Sequence, residues 1–297
     1  MVYGFFQVTD ILDEYSTFKI YGSHCHAKGF LGNANAFGTQ CLVNLCLSIG
    51  LFIKTRNKYY ILLFLTFTFG MFISGTMGCI LTFILILIFL FIYILFYNKK
   101  NIKRNIIYGC SILVLITLCF ILVSSFSKKD LVGDVFEMFT QIVDVSRGKI
   151  EDNYGTGRIY IWKNTLEVVP KYLIHGVGID RFAYAFGDGF LILPDTGAMI
   201  DKAHNEYLQI LVTEGIFALI TYICFLIIII KNAFKYIKHN KTLIPLLIAL
   251  IAYLIQAFFN ISITRLSPII FILMGLLYTR FKADKNNEIK KSIKSIE

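Results

Sequence analysis

The chain has 297 residues, 57% of them hydrophobic and only 16% charged, with a mean hydropathy of +0.68. A soluble domain carries about 25% charged residues, so ordinary globular material is excluded and a polytopic membrane protein is expected. The net charge of +10 would suit a nucleic-acid binder by its sum, but its placement points to a bilayer, and no nucleic-acid partner is expected.

In chain order, residues 1–36 contain Asp10, Asp13 and Glu14 and no charged-then-apolar leader pattern. His24-Cys25-His26 falls in this stretch. Without a second ligand pair at suitable spacing it reads as a polar loop, and no metal is expected. Apolar spans follow at 37–53, 59–73, 78–97 and 106–124. The second and third are joined by Ser74-Gly75-Thr76-Met77, a small-residue turn suited to a tight hairpin. After a long, less apolar segment at 125–206 come spans at 207–230, 243–261 and 268–279.

The expected fold is therefore all-α, a polytopic integral membrane protein of seven transmembrane helices with one large extracytoplasmic loop. Its parts are an extracytoplasmic N-terminal segment (1–36), four transmembrane helices (37–124), the large extracytoplasmic loop with short helices (125–206), three transmembrane helices (207–280) and a basic cytoplasmic tail (281–297). More than half of the 29 basic residues cluster in four places: 54–58, 99–104, 231–241 and 280–294. Alternation across the seven spans puts all four on one side, and Lys/Arg-rich short loops mark the cytoplasmic side. Every Cys except Cys25 lies within a span, so no disulfide framework is implied. An N-terminus that starts outside leads to the expectation that upstream spans are missing, or that this is a short form of a longer protein.

The large loop holds the chemistry-bearing residues. Asn153–Arg158 is turn-forming, and Arg158, Trp162, Leu166 and Val169 recur at helical spacing until Pro170. His175-Gly176-Val177-Gly178 reads as a turn, followed by the aromatic run Arg181–Phe186 and a flexible polar stretch at 187–202. His204 then stands where loop becomes membrane helix, in Ala203-His204-Asn205-Glu206-Tyr207-Leu208-Gln209. Histidine moves protons near neutral pH, Asn205 or a neighbour can cap the helix, and Arg158 and Arg181 are forked donors suited to phosphate. The pattern points to an outer-face site that holds a phosphate-bearing, membrane-embedded substrate and moves a proton. On spacing alone, the same block serves as an interfacial helix anchor, and Arg158 as a snorkelling or ion-paired residue.

These residues resemble the O-antigen ligase/polymerase family. The resemblance rests on Gly176, Gly178 and Phe182, on the block 203–209 with Glu214-Gly215-Ile216, and on Gly157-Arg158 with Trp162. Gly29–Phe37 resembles the family's Gly-x-x-x-Asn-Pro-Asn segment, with Ala34 in place of proline. It implies an inverting glycosyltransferase of the bacterial cytoplasmic membrane, multi-pass and acting at the outer face without metal, nucleotide sugar or other cofactor. The donor would be a polyprenyl-diphosphate-linked oligosaccharide, and the acceptor a glycan, a lipid or a protein. By the same resemblance His204 activates the acceptor hydroxyl and Arg158 binds the diphosphate. Asn205, Glu206, Tyr207, Arg181 and Trp162 would line the substrate, and Arg265 is a weaker candidate for the anion. The chain departs from the family in two ways: Met77 stands where a Ser-Arg-Gly arginine is usual, and seven spans compare with about ten or more. A lipid-linked glycan transporter, a protein O-oligosaccharyltransferase and an inactive truncated member stay open as alternatives.

Overall fold

The computed structural model describes residues 27–97, 102–127, 130–237 and 240–294. The His24-Cys25-His26 motif and most of the N-terminal segment lie outside the described residues. The chain is mostly helical. Its α-helices are α1 (Ala34–Thr55), α2 (Tyr59–Ser74), α3 (Met77–Tyr97), α4 (Ile102–Phe126), α5 (Leu131–Ser146), α6 (Arg158–Tyr172), α7 (Glu206–Glu214), α8 (Ile216–Tyr236), α9 (Leu243–Gln256) and α10 (Ser267–Lys294). Among the described residues, α1, the 109–126 part of α4, and α8 are long and apolar enough to cross a membrane; α2, α9 and the first part of α3 are shorter apolar helices. Two compact units result. One takes the described residues up to 132 with 232–256 and 264–294, and the other takes 133–231 with 257–263.

In the first unit α1 is buried along most of its length. Asn33 caps it by accepting the Ala36 N–H at 3.0 Å, and Arg56, in the left-handed region at φ 60°, closes its other end. Small residues let neighbours approach closely: a Cβ on Gly50 would lie 2.4 Å from Pro245 Cα of α9. A polar ladder crosses this apolar packing. Gln256 Nε2 donates to Thr39 Oγ1 at 3.3 Å, and Thr82 Oγ1 donates to Gln256 Oε1 at 3.4 Å, so α1, α3 and α9 are tied in register. The hairpin turn before Met77 is knitted likewise: Ser74 Oγ donates to Thr76 Oγ1 at 3.2 Å, and Thr76 Oγ1 to the Ala34 carbonyl at 3.2 Å.

The second unit contains a small core of its own. Ile161, Phe182, Ala185, Leu191, Ile200, Ala203 and Val212 are buried together. Three expectations are corrected here. Pro170 does not end α6, which runs on to Tyr172: near a helix end proline forfeits one ladder bond and its fixed φ is already helical. The stop is Gly176, whose N–H reaches back to the Tyr172 carbonyl at 2.9 Å and whose φ is +66°. The inward face of α6 holds Ile161 and Thr165, while Leu166 is exposed. The stretch 187–202 is folded: Leu191–Ile192 pairs antiparallel with Met199–Ile200, and Leu191 and Ile200 insert into the core.

Element limits differ from expectation as well. The expected span 207–230 is broken at Gly215 into α7 and α8, and α9 stops at Gln256 rather than 261. The last helix continues through the basic tail to Lys294, where Lys, Glu and Ala favour helix. Helix α5 falls in the segment read as a large loop with short helices.

Candidate functional site

The turn before α6 is built on glycines. Gly155 and Gly157 have φ of +64° and +80°, and a Cβ on Gly157 would sit 2.3 Å from Leu193 Cδ2. Tyr154 is buried and its hydroxyl donates to Asp144 Oδ2 at 2.8 Å, while the Gly155 N–H donates to Gln141 Oε1 at 2.9 Å. Arg158, the first residue of α6, is held by hydrogen bonds on two sides. Nε donates to the Phe259 carbonyl at 3.0 Å, and Nη1 donates to the Gly155 carbonyl at 2.7 Å and to Thr156 Oγ1 at 2.9 Å. The guanidinium thus bridges the α6 turn and the segment that follows α9.

His204 is presented by a different device. Its φ is +49°, a conformation that a non-glycine residue holds only when its surroundings enforce it. Both sides are enforced. Ala203 donates its N–H to Gln209 Oε1 at 2.8 Å and accepts from Trp162 Nε1 at 3.1 Å. Asn205 caps α7, its Oδ1 accepting from the N–H groups of Tyr207 and Leu208 at 3.0 and 3.1 Å. Trp162 packs edge-on against Phe258 with centroids 5.5 Å apart, and Tyr207 stands 6.2 Å from the same ring. Glu206 is buried, accepts the Tyr222 hydroxyl at 2.8 Å, and donates its N–H to the Ala257 carbonyl at 2.8 Å.

Burial pushes the His204 imidazole below its ordinary proton affinity; the nearby Arg158 charge pushes the same way and Asp201 opposes. Its Nδ1 is buried without a hydrogen-bond partner among the described residues. The result is a neutral, half-buried imidazole beside a fixed cation, at the amino end of a capped helix.

A backbone clasp keeps α6 and α7 together. Val177 and Gly178 donate their N–H groups to the carbonyls of Val212 and Thr213 at 2.8 and 2.9 Å, and Ile216 donates to Leu173 at 2.7 Å. These bonds satisfy carbonyls that the end of α7 would otherwise leave open. A Cβ on Gly176 would meet the Thr213 carbonyl oxygen at 2.2 Å, and one on Gly215 the Ile174 oxygen at 2.3 Å. The Gly176-x-Gly178 motif is therefore a close-approach joint, more than the simple turn its spacing indicated.

Of the expected site residues, Arg158, Trp162, His204, Asn205, Glu206 and Tyr207 come together in the second unit. Arg181 does not join them: it is exposed on the turn after Gly178, beside the Asp180–Lys202 ion pair. Arg265 belongs to the first unit, where it is exposed and donates to the Leu31 carbonyl next to Gly32. Sequence reasoning missed Gln209, Tyr222 and the 257–259 segment as supports. Polar Asn260, inside what was read as a span, was the available signal that the helix ends early. Among the described residues no group of three or more His, Cys, Asp or Glu is placed to hold a metal ion.

Among the described residues, three helices are long and apolar enough to cross a membrane, and the second unit gathers a histidine and an arginine. A family profile described as O-antigen ligase matches residues 61–223, more than half of the chain. The chain belongs to the O-antigen ligase family. No curated protein matches it.

Proposed function

We propose that the protein is an inverting membrane glycosyltransferase. It moves a glycan from a polyprenyl-diphosphate-linked oligosaccharide to an acceptor hydroxyl at the outer face of the bacterial cytoplasmic membrane. The observation that carries this reading is the pairing of the neutral, half-buried His204 with the anchored Arg158. In the reaction His204 accepts the proton of the acceptor hydroxyl, and the resulting oxygen nucleophile attacks the anomeric carbon from the face opposite the leaving group. The bond from that carbon to the diphosphate oxygen breaks, and the diphosphate departs on its lipid carrying the electron pair. Arg158 offsets the charge that builds on it, an effect that is large where water is excluded. Asn205, Glu206 and Tyr207 shape the acceptor side, and Trp162 holds the His204 turn. No step needs a metal or a nucleotide sugar.

The reading places 125–206 outside, as one large extracytoplasmic loop, with seven spans at 37–124 and 207–280 and a cytoplasmic tail. The acceptor decides whether the product is a longer surface polysaccharide such as a capsule or exopolysaccharide, a ligated lipid, or a glycosylated protein; the chemistry is shared. A transporter of the same lipid-linked glycan uses no general base, and an inactive family member gives no product at all.

Membrane vesicles supplied with lipid-linked donor and acceptor test these readings. His204→Ala and Arg158→Ala are each expected to lower product about 100-fold or more with unchanged abundance in the membrane. Normal long-chain product in both variants overturns the assignment.

A further inference from the structure

Helix α5 plays no part in the proposed chemistry, yet it is the most amphipathic element of the second unit. Phe136, Phe139 and Val143 recur at helical spacing and are 74%, 45% and 43% exposed. The opposite face is engaged. Glu137 accepts from Gln141 at 2.8 Å, Gln141 accepts the Gly155 N–H at 2.9 Å, and Asp144 accepts the Tyr154 hydroxyl at 2.8 Å. A row of exposed apolar side chains opposite a hydrogen-bonded polar face is costly in water, at about 25 cal/mol per Å².

What covers this row follows from what the unit is attached to. Helix α8 belongs largely to the same unit, is apolar enough to cross a membrane, and has only 17% of its apolar window buried within the protein. The unit is therefore anchored in lipid. Helix α4 ends at Phe126 and α5 begins at Leu131, a connection that spans no more than about 18 Å. Helix α5 thus starts at the membrane face. With 16 residues, including Asp134, Glu137 and Asp144, it is too short and too charged to cross the bilayer, which needs about 20 apolar residues. That combination describes a helix lying in the interface plane.

We infer that α5 is an in-plane membrane helix. Its Phe136–Phe139–Val143 row seats in the headgroup–acyl boundary of the bilayer, and its polar face holds the 154–155 turn that carries Arg158. The lipid surface thereby sets the height of Arg158 relative to the bilayer. The inference does not depend on glycan transfer.

The test uses the full-length protein reconstituted in vesicles of phosphatidylethanolamine and phosphatidylglycerol. An indole is added singly by Phe136→Trp, Phe139→Trp or Glu137→Trp, with native Trp162 as the common background. Lipids brominated on the acyl chain are expected to quench the added indole at 136 and 139 at least about twofold more than that at 137, and aqueous iodide to show the reverse order. Iodide quenching at 136 equal to that at 137 overturns the inference, because the row then faces water. Quenching at 136 by neither agent, with cross-links between copies, overturns it in favour of a second copy of the chain.

Discussion

Arg158 and Arg265 each clamp a distant backbone carbonyl beside a left-handed glycine turn near the start of a helix. Arg158 donates to Phe259 next to Gly155 and Gly157, and Arg265 donates to Leu31 next to Gly32. Their company differs. Arg158 is half-buried, and its charge is felt by a half-buried histidine; Arg265 is exposed and, among the described residues, forms no ion pair. A guanidinium alone staples a turn. A guanidinium beside a desolvated imidazole that lacks a partner for one nitrogen can also do acid–base chemistry on an anionic substrate.

The two regions also differ in what their glycines touch, and substitution there gives the largest effect. In Gly176→Ala the new Cβ meets a backbone oxygen at 2.2 Å, at φ +66°. Neither partner can move without breaking the clasp that joins α6 to α7, so a loss of more than about 3 kcal/mol is expected. In Gly32→Ala, at φ +68°, the Cβ meets Arg265 Nη1 at 2.6 Å. That atom is the far end of a flexible side chain, so only the left-handed backbone cost of about 1–2 kcal/mol is expected. Thermal unfolding in detergent compares the two; equal losses would mean that the clasp contributes nothing beyond its glycine.

Lysine in place of each arginine separates binding from stapling. Lysine keeps the charge but lacks the planar fork whose Nε and Nη1 reach acceptors on two separate segments. Arg158→Lys is expected to lower transfer about 10-fold or more, whereas Arg265→Lys stays within about threefold. Initial rates at saturating donor measure the pair.

The pH response comes next in size. His204 carries a proton affinity held below its ordinary value near 6.5. Above that value both folded and unfolded chains keep the ring neutral, so the native state loses nothing. As pH falls through 6.5 toward the folded value the unfolded chain protonates first, and stability declines. His204→Gln, which cannot titrate, is expected to flatten that part of the melting-temperature profile between about pH 7.5 and 5. Transfer by the wild type should fall at lower pH than this, as pH passes through the folded value, because only then is the native ring protonated and no longer a base. An unchanged slope in His204→Gln would assign the acid sensitivity to other groups.

The sequence made the apolar helices and the local cluster legible for one reason: both depend on residues near each other in the chain. Alternating apolar runs report spans, and Ala203–Gln209 places histidine, cap and helix start within seven consecutive positions. Long-range backbone contacts were hidden. Nothing in Gly176-Val177-Gly178 says that its N–H groups end on Val212 and Thr213, and nothing in 243–261 says that the helix stops at Gln256 to give its next carbonyls to Glu206 and Arg158. Arg181 was grouped with the site by charge type, and geometry separates it. Leu191 and Ile200 fell within what was read as a flexible polar stretch, because each one's pairing partner lies nine residues away in the hairpin.

The smallest effect is the sharpest discriminator between the two arginines. Arg265→Ala removes an exposed charged donor from the Leu31 carbonyl, and an exposed contact of this kind contributes about 1 kcal/mol or less once solvent competes for it. If stapling the Gly29–Leu31 turn is its whole role, unfolding shifts by that small amount, and transfer stays within about threefold because nothing acid–base is lost. If the substrate anion also rests on Arg265, the loss appears in KM for donor at nearly constant stability. Measuring KM and melting temperature on the same preparation therefore decides whether the first unit contributes a cation to the reaction, or only a well-closed turn ahead of α1.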